Sequence, residues 1–407
     1  MRIVFLLSRA DEPGDVPRAV LTRASHLAAR HDVEVVSVFR TRDRPHTAPG
    51  PGVALRHLVD RTGPVPVPLR PTALTDRARQ QLAVVPSALV DPALEPESDA
   101  LTDTELALAL RTLDTDVLVT ASPALLRAAA DHAPAGAVRI HESPWAGEGE
   151  PPPGTGECDA VVVRTEGARR RLAAALGAAA RGPSAPTTAA IPYPAPGGFR
   201  PRSSRTARTA VLAGPPARAD HALAAFAAAA PSPAGSGWRL RVLGDGPEPP
   251  RLRRRVAELG LYERVELLGP SPHMAAEWAK ASFAVLPSGS AGVLEAYAAG
   301  VPAVAYDEGG GAADVVRDGV DGLLVPPDDV DALAGAMARL MAADAELLHR
   351  LGAHARAGAA RFAPEGVTRA WEELCAELVA ARAPARQAAE PGRRRAAGAA
   401  RVGVPPR

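Results

Sequence analysis

One acid, Glu295, sits in a setting suited to a diphosphate and a hydroxylated sugar. It lies within ASFAVLPSGSAGVLEAYAAGVPAVAYDEGGG, residues 281–311. An apolar run at 281–286 stops at Pro287-Ser288-Gly289 and reopens as a helix pattern carrying Glu295. A second apolar run, 301–306, ends in Asp307-Glu308 and three glycines. Strand, glycine-bearing turn, helix and strand in this order mark a parallel sheet. In such a sheet the turn and the following helix N-terminus offer unpaired N–H groups and the positive end of a dipole to an anion. Ser288, Gly289, Gly292 and the main chain through Val293 and Leu294 would hold the phosphates, with Glu295 beside them for the sugar.

Four further positions could carry chemistry. His141 ends a strand pattern in RIHESPW. Strand ends are where α/β sheets place functional groups, yet a lone histidine is as readily structural, and both readings stand. Arg218 is the cation nearest Gly214 in AGPPARADHAL. It either pairs with phosphate through its planar fork or is a solvated loop residue. Gly14 in DEPGD marks a turn, and the acids around it, Asp11, Glu12 and Asp15, would repel an anionic ligand. Asp245 in LGDGP reads as a turn residue between permissive glycines. No metal-ligand spacing and no nucleophile system of the Ser/His/Asp or Cys/His kind stands out.

These residues need sheets to hold them. Strand patterns at 2–7, 31–39, 116–120, 138–141 and 159–165 alternate with helix patterns at 16–29, 102–113, 123–131 and 166–176. That alternation implies a doubly wound parallel α/β sheet. Residues 42–98, rich in Pro and Arg, show few periodic segments and read in part as an irregular insertion, with no elements placed in it. The Pro-rich stretch 180–209 reads as a linker. A second domain then opens with a strand at 209–213. The expected organisation is a first domain over 1–199, a second over 207–362, a closing helix over 363–380 and a tail over 381–407. The tail is rich in Arg, Ala, Gly and Pro without apolar periodicity, which implies disorder and the capacity for peripheral contact with anionic lipid or polymer.

Composition narrows the class. At 407 residues the chain exceeds one average core. A net charge of +1 excludes the broad basic face that nucleic-acid binding needs. Cys158 and Cys375 stand far apart with no CxxC spacing, which favours a reduced, cytoplasmic chain. The N-terminus lacks the pattern of a signal peptide, and no apolar run reaches the length of a membrane span.

The stretch Trp238 to Met341 resembles the donor-binding half of glycosyltransferase family 4, retaining enzymes of the GT-B fold. The shared features are PS before the helix, EA.A.G.PV through it, D.GG after it, and DG..GLLVPP.D..ALA beyond. MRIVFLL, HDVEVVSVF and DAVVVRTEGARRRL are similar to the family's N-terminal half, and AYD with RDGVDGLLVPP resembles a teichoic-acid-type branch. The resemblance implies two Rossmann-like doubly wound domains facing a cleft. It implies a nucleoside-diphosphate sugar as donor substrate, with no cofactor and no metal, and a sugar, polymer or small-molecule acceptor on the first domain. It also implies a last helix that crosses back to that domain. Glu295 would then accept from ribose hydroxyls, and His141 would face the transferred sugar as the catalytic residue.

Three features depart from the pattern. An earlier Glu that touches the donor sugar is missing. Pro215 stands where an Arg is expected, with no Lys after it. The glycine pair of the N-terminal loop is reduced to Gly14. These departures keep a second reading open, that of a catalytically impaired relative serving as sugar-nucleotide sensor or partner subunit. A third, a sugar-nucleotide epimerase of the same fold, lacks the additional acidic and basic residues it needs.

Overall fold

The inner strand segments are apolar on both faces, which suits sheets covered by helices on each side. The computed structural model describes residues 1–389 except 73, 145–148, 180–184, 197–200, 215–217, 245–249, 270, 272, 288–290 and 309–310. The first sheet contains Arg2–Arg9 (β1), Asp32–Arg40 (β2), Val53–Asp60 (β3), Val67–Pro68 (β4), Val117–Thr120 (β5), Val138–Glu142 (β6), Ala160–Val163 (β7) and Thr187–Ala190 (β8). The second contains Thr209–Ala213 (β9), Arg239–Leu243 (β10), Val265–Leu267 (β11), Phe283–Leu286 (β12), Ala303–Tyr306 (β13) and Gly322–Val325 (β14). β1 is buried from Ile3 to Ser8, and β5, β7, β12 and β13 are buried throughout.

The strand orders are β4-β3-β2-β1-β5-β6-β7-β8 and β11-β10-β9-β12-β13-β14. The pairs are parallel apart from β3 with β4. In the first sheet the order reverses between β2-β1 and β5, where Phe5 lies beside Val35 on one side and Val119 on the other. In the second it reverses at β9 and β12, with Leu212 beside Val242 and Val285. Loops leaving the strands diverge at such a point and open a crevice at the strands' C-terminal ends. The turn after β1 passes Gly14 into the helix Asp15–Leu27, and the turn after β9 begins with Gly214. β12 leads to the helix Ala291–Ala298, which bears Glu295.

Two stretches differ from the sequence reading. Residues 42–98 carry elements that the sequence does not place, because β3 lies in register beside β2 and β4 pairs antiparallel at the edge. β3 leaves Ala54 and Arg56 exposed, so it lacks the continuous apolar run of its neighbours. The helix Asp76–Ala83 in the same stretch buries none of its residues and has no apolar stripe to read. The Pro-rich stretch 180–209 is not wholly a linker, since β8 within it pairs parallel with β7.

The last helix, Pro364–Ala389, runs past Ala380; residues 390–407 of the proposed tail lie outside the described residues. Its Val367, Trp371, Leu374 and Cys375 share a buried cluster with Ile3, Phe5 and Val20 of the first sheet and its first helix. Ala19 of that first helix, with Tyr193 and Ala195, packs into the second sheet's cluster beside Trp278 and Val293. The two lobes therefore touch along the side that bears Gly14. Among the described residues no helix is long and apolar enough to cross a membrane.

Candidate functional site

The two reversal points face one another across a crevice. Gly14, Asp15, Arg18 and His46 line it from the first lobe, and Gly214, Gly244, Gly292 and Glu295 from the second. Among the described residues no three His, Cys, Asp or Glu side chains gather as a metal group.

Glu295 projects into this crevice with its side chain 10% exposed. Its Oε2 accepts a hydrogen bond from Trp278 Nε1 at 3.1 Å, and its Oε1 accepts from Arg18 Nη1 of the opposite lobe. Arg18 Nη2 also donates to Asp15 Oδ1 at 2.7 Å. Trp278 is fully buried and so sets the orientation of the carboxylate. A carboxylate offers about four lone-pair sites, so Glu295 keeps acceptor capacity toward a pair of hydroxyls. The pair with Arg18 forms part of a wall common to two chambers, one of about 80 Å³ and one of about 380 Å³. Asp15, Arg18, Thr47 and Glu295 line both.

The proposed phosphate side is built on close approach. A Cβ at Gly292 would lie 2.9 Å from Leu286 Cδ2 and 3.9 Å from the Ala213 carbonyl oxygen, so the missing side chain lets the helix sit against β12. Gly214 has φ 127°, a region that favours glycine. Val293 and Leu294 bury their side chains in the same cluster as Leu286 and Tyr297, and neither is among the described residues lining the crevice. Ser288 and Gly289 lie outside the described residues.

Arg218 is not among the described residues that line the crevice and is engaged with the loops beside it. It donates to Glu308 and, at 3.3 Å, to the Pro287 carbonyl oxygen. Its Nε lies 3.4 Å from Asp328 Oδ1, and its guanidinium sits 5.5 Å above the Tyr306 ring. It links the loops that follow β9, β12, β13 and β14, with its side chain 28% exposed.

His141, at the end of β6, is fully buried. Its Nδ1 is 3.0 Å from the Thr120 carbonyl oxygen, which assigns the proton to that nitrogen. Nε2 has no hydrogen-bond partner among the described residues. Burial pushes the imidazole down to about 4 from its ordinary 6.5. The folded chain therefore holds a neutral ring where the unfolded chain binds a proton, and stability present above pH 6.5 is lost as pH falls toward about 4. At most about 3 kcal/mol is at stake. His141→Asn should flatten that part of the stability curve, read from thermal melts at a series of pH values. An unchanged slope would assign it to other groups.

The acids around Gly14 are not a free repulsive cluster. Asp11 is fully buried and accepts from the main-chain N–H groups of Thr41 and Arg42 at 2.6 and 2.7 Å. Glu12 lies 3.5 Å from Arg9, and Asp15 pairs with Arg18. Sequence reading missed Arg18 and Trp278, the two residues that hold Glu295. An arginine one turn into an amphipathic helix and a tryptophan before a strand carry no local signal of a shared partner.

Comparison with known proteins gives this geometry a frame. Residues 209–343 match the family Glycosyl transferases group 1. Sucrose-phosphate synthase from Thermosynechococcus elongatus superposes with a TM-score of 0.69 at 19% identity, over 94% of this chain and 100% of that one. A mutant of S. aureus TarM, in complex with Fondaparinux, alpha-GlcNAc-glycerol and UDP, superposes with a TM-score of 0.70 at 10% identity, over 92% of this chain and 100% of that one. The fold is GT-B. Within this GT-B frame the matched stretch begins at β9 and includes Gly214, Arg218, Gly292 and Glu295, while Gly14, Arg18 and His141 belong to the other lobe. The chain is also 48% identical to an exopolysaccharide phosphotransferase of Streptomyces coelicolor over 96% of its own length. It spans 42% of that protein, less than half of the relative's length.

Proposed function

We propose that this chain is a glycosyltransferase that moves a sugar, with retention, from a nucleoside-diphosphate sugar to a hydroxyl acceptor of the cell-envelope or glycoconjugate class. The observation that carries the reading is the Glu295 carboxylate, oriented by Trp278 inside the crevice between the two reversal points. The donor would lie on the second domain, residues 207–362, with Glu295 on the ribose and the main chain from Gly289 to Leu294 on the diphosphate. The acceptor would approach from the first domain, residues 1–199, and His141, buried at the end of β6, would reach the transferred sugar only after a local opening. Reaction breaks the bond between the anomeric carbon and the diphosphate oxygen, which leaves with the electron pair. The acceptor oxygen forms the new bond to that carbon, and its proton passes to the departing phosphate. Positive helix ends and arginine would stabilise the charge that develops there. Retention rests on the likeness of the Glu295 stretch to retaining enzymes. The work is assigned to the cytoplasm, with the basic tail available for contact with an anionic surface.

A second reading is motivated by the relative's name, which is that of a phosphotransferase. A phosphoryl-type transfer from the same donor would break the pyrophosphate bond instead, and the nucleoside monophosphate would leave. Incubation with a panel of UDP-, GDP- and ADP-sugars, with the released nucleotide identified, separates the two. Nucleoside diphosphate release is the expected result, and monophosphate release would replace sugar transfer by phosphosugar transfer. Tight binding without release would leave the chain a sugar-nucleotide sensor or partner subunit, and failure to bind any donor would overturn all three.

A further inference from the structure

A diphosphate needs a cation close to it, and among the described residues lining the crevice the second lobe offers none. Pro215 follows Gly214 directly, and Arg218 is held by Glu308, Asp328 and the Pro287 carbonyl. The first lobe supplies Arg18, which lines both chambers with Glu295. We propose that Arg18 is the diphosphate ligand of the cleft, delivered from the opposite domain, and that it exchanges Glu295 for the diphosphate when donor enters. This rests on the reading of the cleft as a nucleoside-diphosphate site.

Three features support the exchange. The Arg18–Glu295 pair stands between the two chambers, so a donor that spans both must displace it. The contact joins side chains on two different lobes, so its rupture merges the chambers without disturbing either core. Neither charge is left without a partner during the change. Glu295 trades a guanidinium for hydroxyl donors while keeping Trp278, and Arg18 trades a carboxylate for phosphate oxygens that match its planar fork. Asp15, 2.7 Å from Arg18 Nη2, tethers the guanidinium in the crevice throughout. Its place at the first helical residue, directly after Gly14, keeps the tether at the crevice mouth.

The exchange separates two contributions that a merely structural arginine would not. In the whole chain, Arg18→Met removes the cation and also frees Glu295. Calorimetry with the nucleoside, its monophosphate and its diphosphate, in the uridine, guanosine and adenosine series, reads both. The diphosphate should bind roughly 10- to 100-fold more weakly, while the bare nucleoside binds as well as or better than before. Arg18→Lys should recover part of the diphosphate affinity. Equal weakening across the series, or a diphosphate affinity that Arg18→Met leaves unchanged, would overturn the proposal. Inorganic pyrophosphate serves as a probe that does not depend on the nucleoside. If no nucleotide binds the natural chain, the reading of the cleft fails, while pyrophosphate binding lost in Arg18→Met would still uphold Arg18 as the anion ligand. If pyrophosphate also fails to bind, the proposal falls with the reading.

Discussion

Glu295→Ala is expected to weaken nucleotide binding by roughly 30-fold, and by the same factor for nucleoside, monophosphate and diphosphate. A hydrogen bond to a charged acceptor contributes about 1.5–3 kcal/mol. Two from ribose hydroxyls would exceed this net loss, but the natural carboxylate must first give up Arg18, so part of the gain cancels. A net of about 2 kcal/mol corresponds to the stated factor. The assignment to ribose predicts more than the size of the loss. The natural chain should bind a 2′-deoxy nucleotide less tightly than its ribo counterpart, and Glu295→Ala should be indifferent to that deletion, because the two changes remove the same contact. Glu295→Gln keeps an acceptor for Trp278 Nε1 and should fall between the two. If the alanine variant still prefers ribose over deoxyribose, the carboxylate does something else in the crevice.

Much of the frame is legible in the chain because it is local. Continuous apolar runs such as FAVL and AVVV announce fully covered strands, and the spacing of Gly292 and Glu295 after β12 places both at a helix start facing the crevice. What escapes reading depends on contacts across long separations. Arg18 and Glu295 lie 277 residues apart in the chain, so neither the pairing nor the divided cleft can be inferred from either neighbourhood. Asp11, Glu12 and Asp15 look like a block of free charge until the loop at 41–42 and two arginines take them up. β3 and β8 escape for another reason. Both lie among prolines and arginines, and neither is covered on both faces, so their burial is uneven and their apolar signal weak. Glu142 reads as a neighbour of His141 and proves to be a fastening for the first lobe.

That fastening should give the largest stability effect in the chain. Arg23 and Glu142 are 1% and 5% exposed and form a two-pronged ion pair between the first helix and the end of β6. The guanidinium also lies 4.2 Å above the Trp371 ring of the last helix and 5.1 Å above Phe5 of β1. Removing one member leaves a buried charge without a partner, which costs about 3–5 kcal/mol. Glu142→Ala is therefore expected to lower the melting temperature by roughly 10 °C, given about 2–4 °C per kcal/mol for domains of this size. The double variant Arg23→Met with Glu142→Leu should recover most of the loss, because apolar side chains of similar volume replace a buried pair at little cost. Failure of the double variant to recover would mean that the stacking on Trp371 and Phe5, not the charge pair, holds the three elements together. The same outcome bears on the cleft. Arg18 and Arg23 share one helix, so a seam that anchors that helix to β6 and to the last helix also fixes where Arg18 can reach.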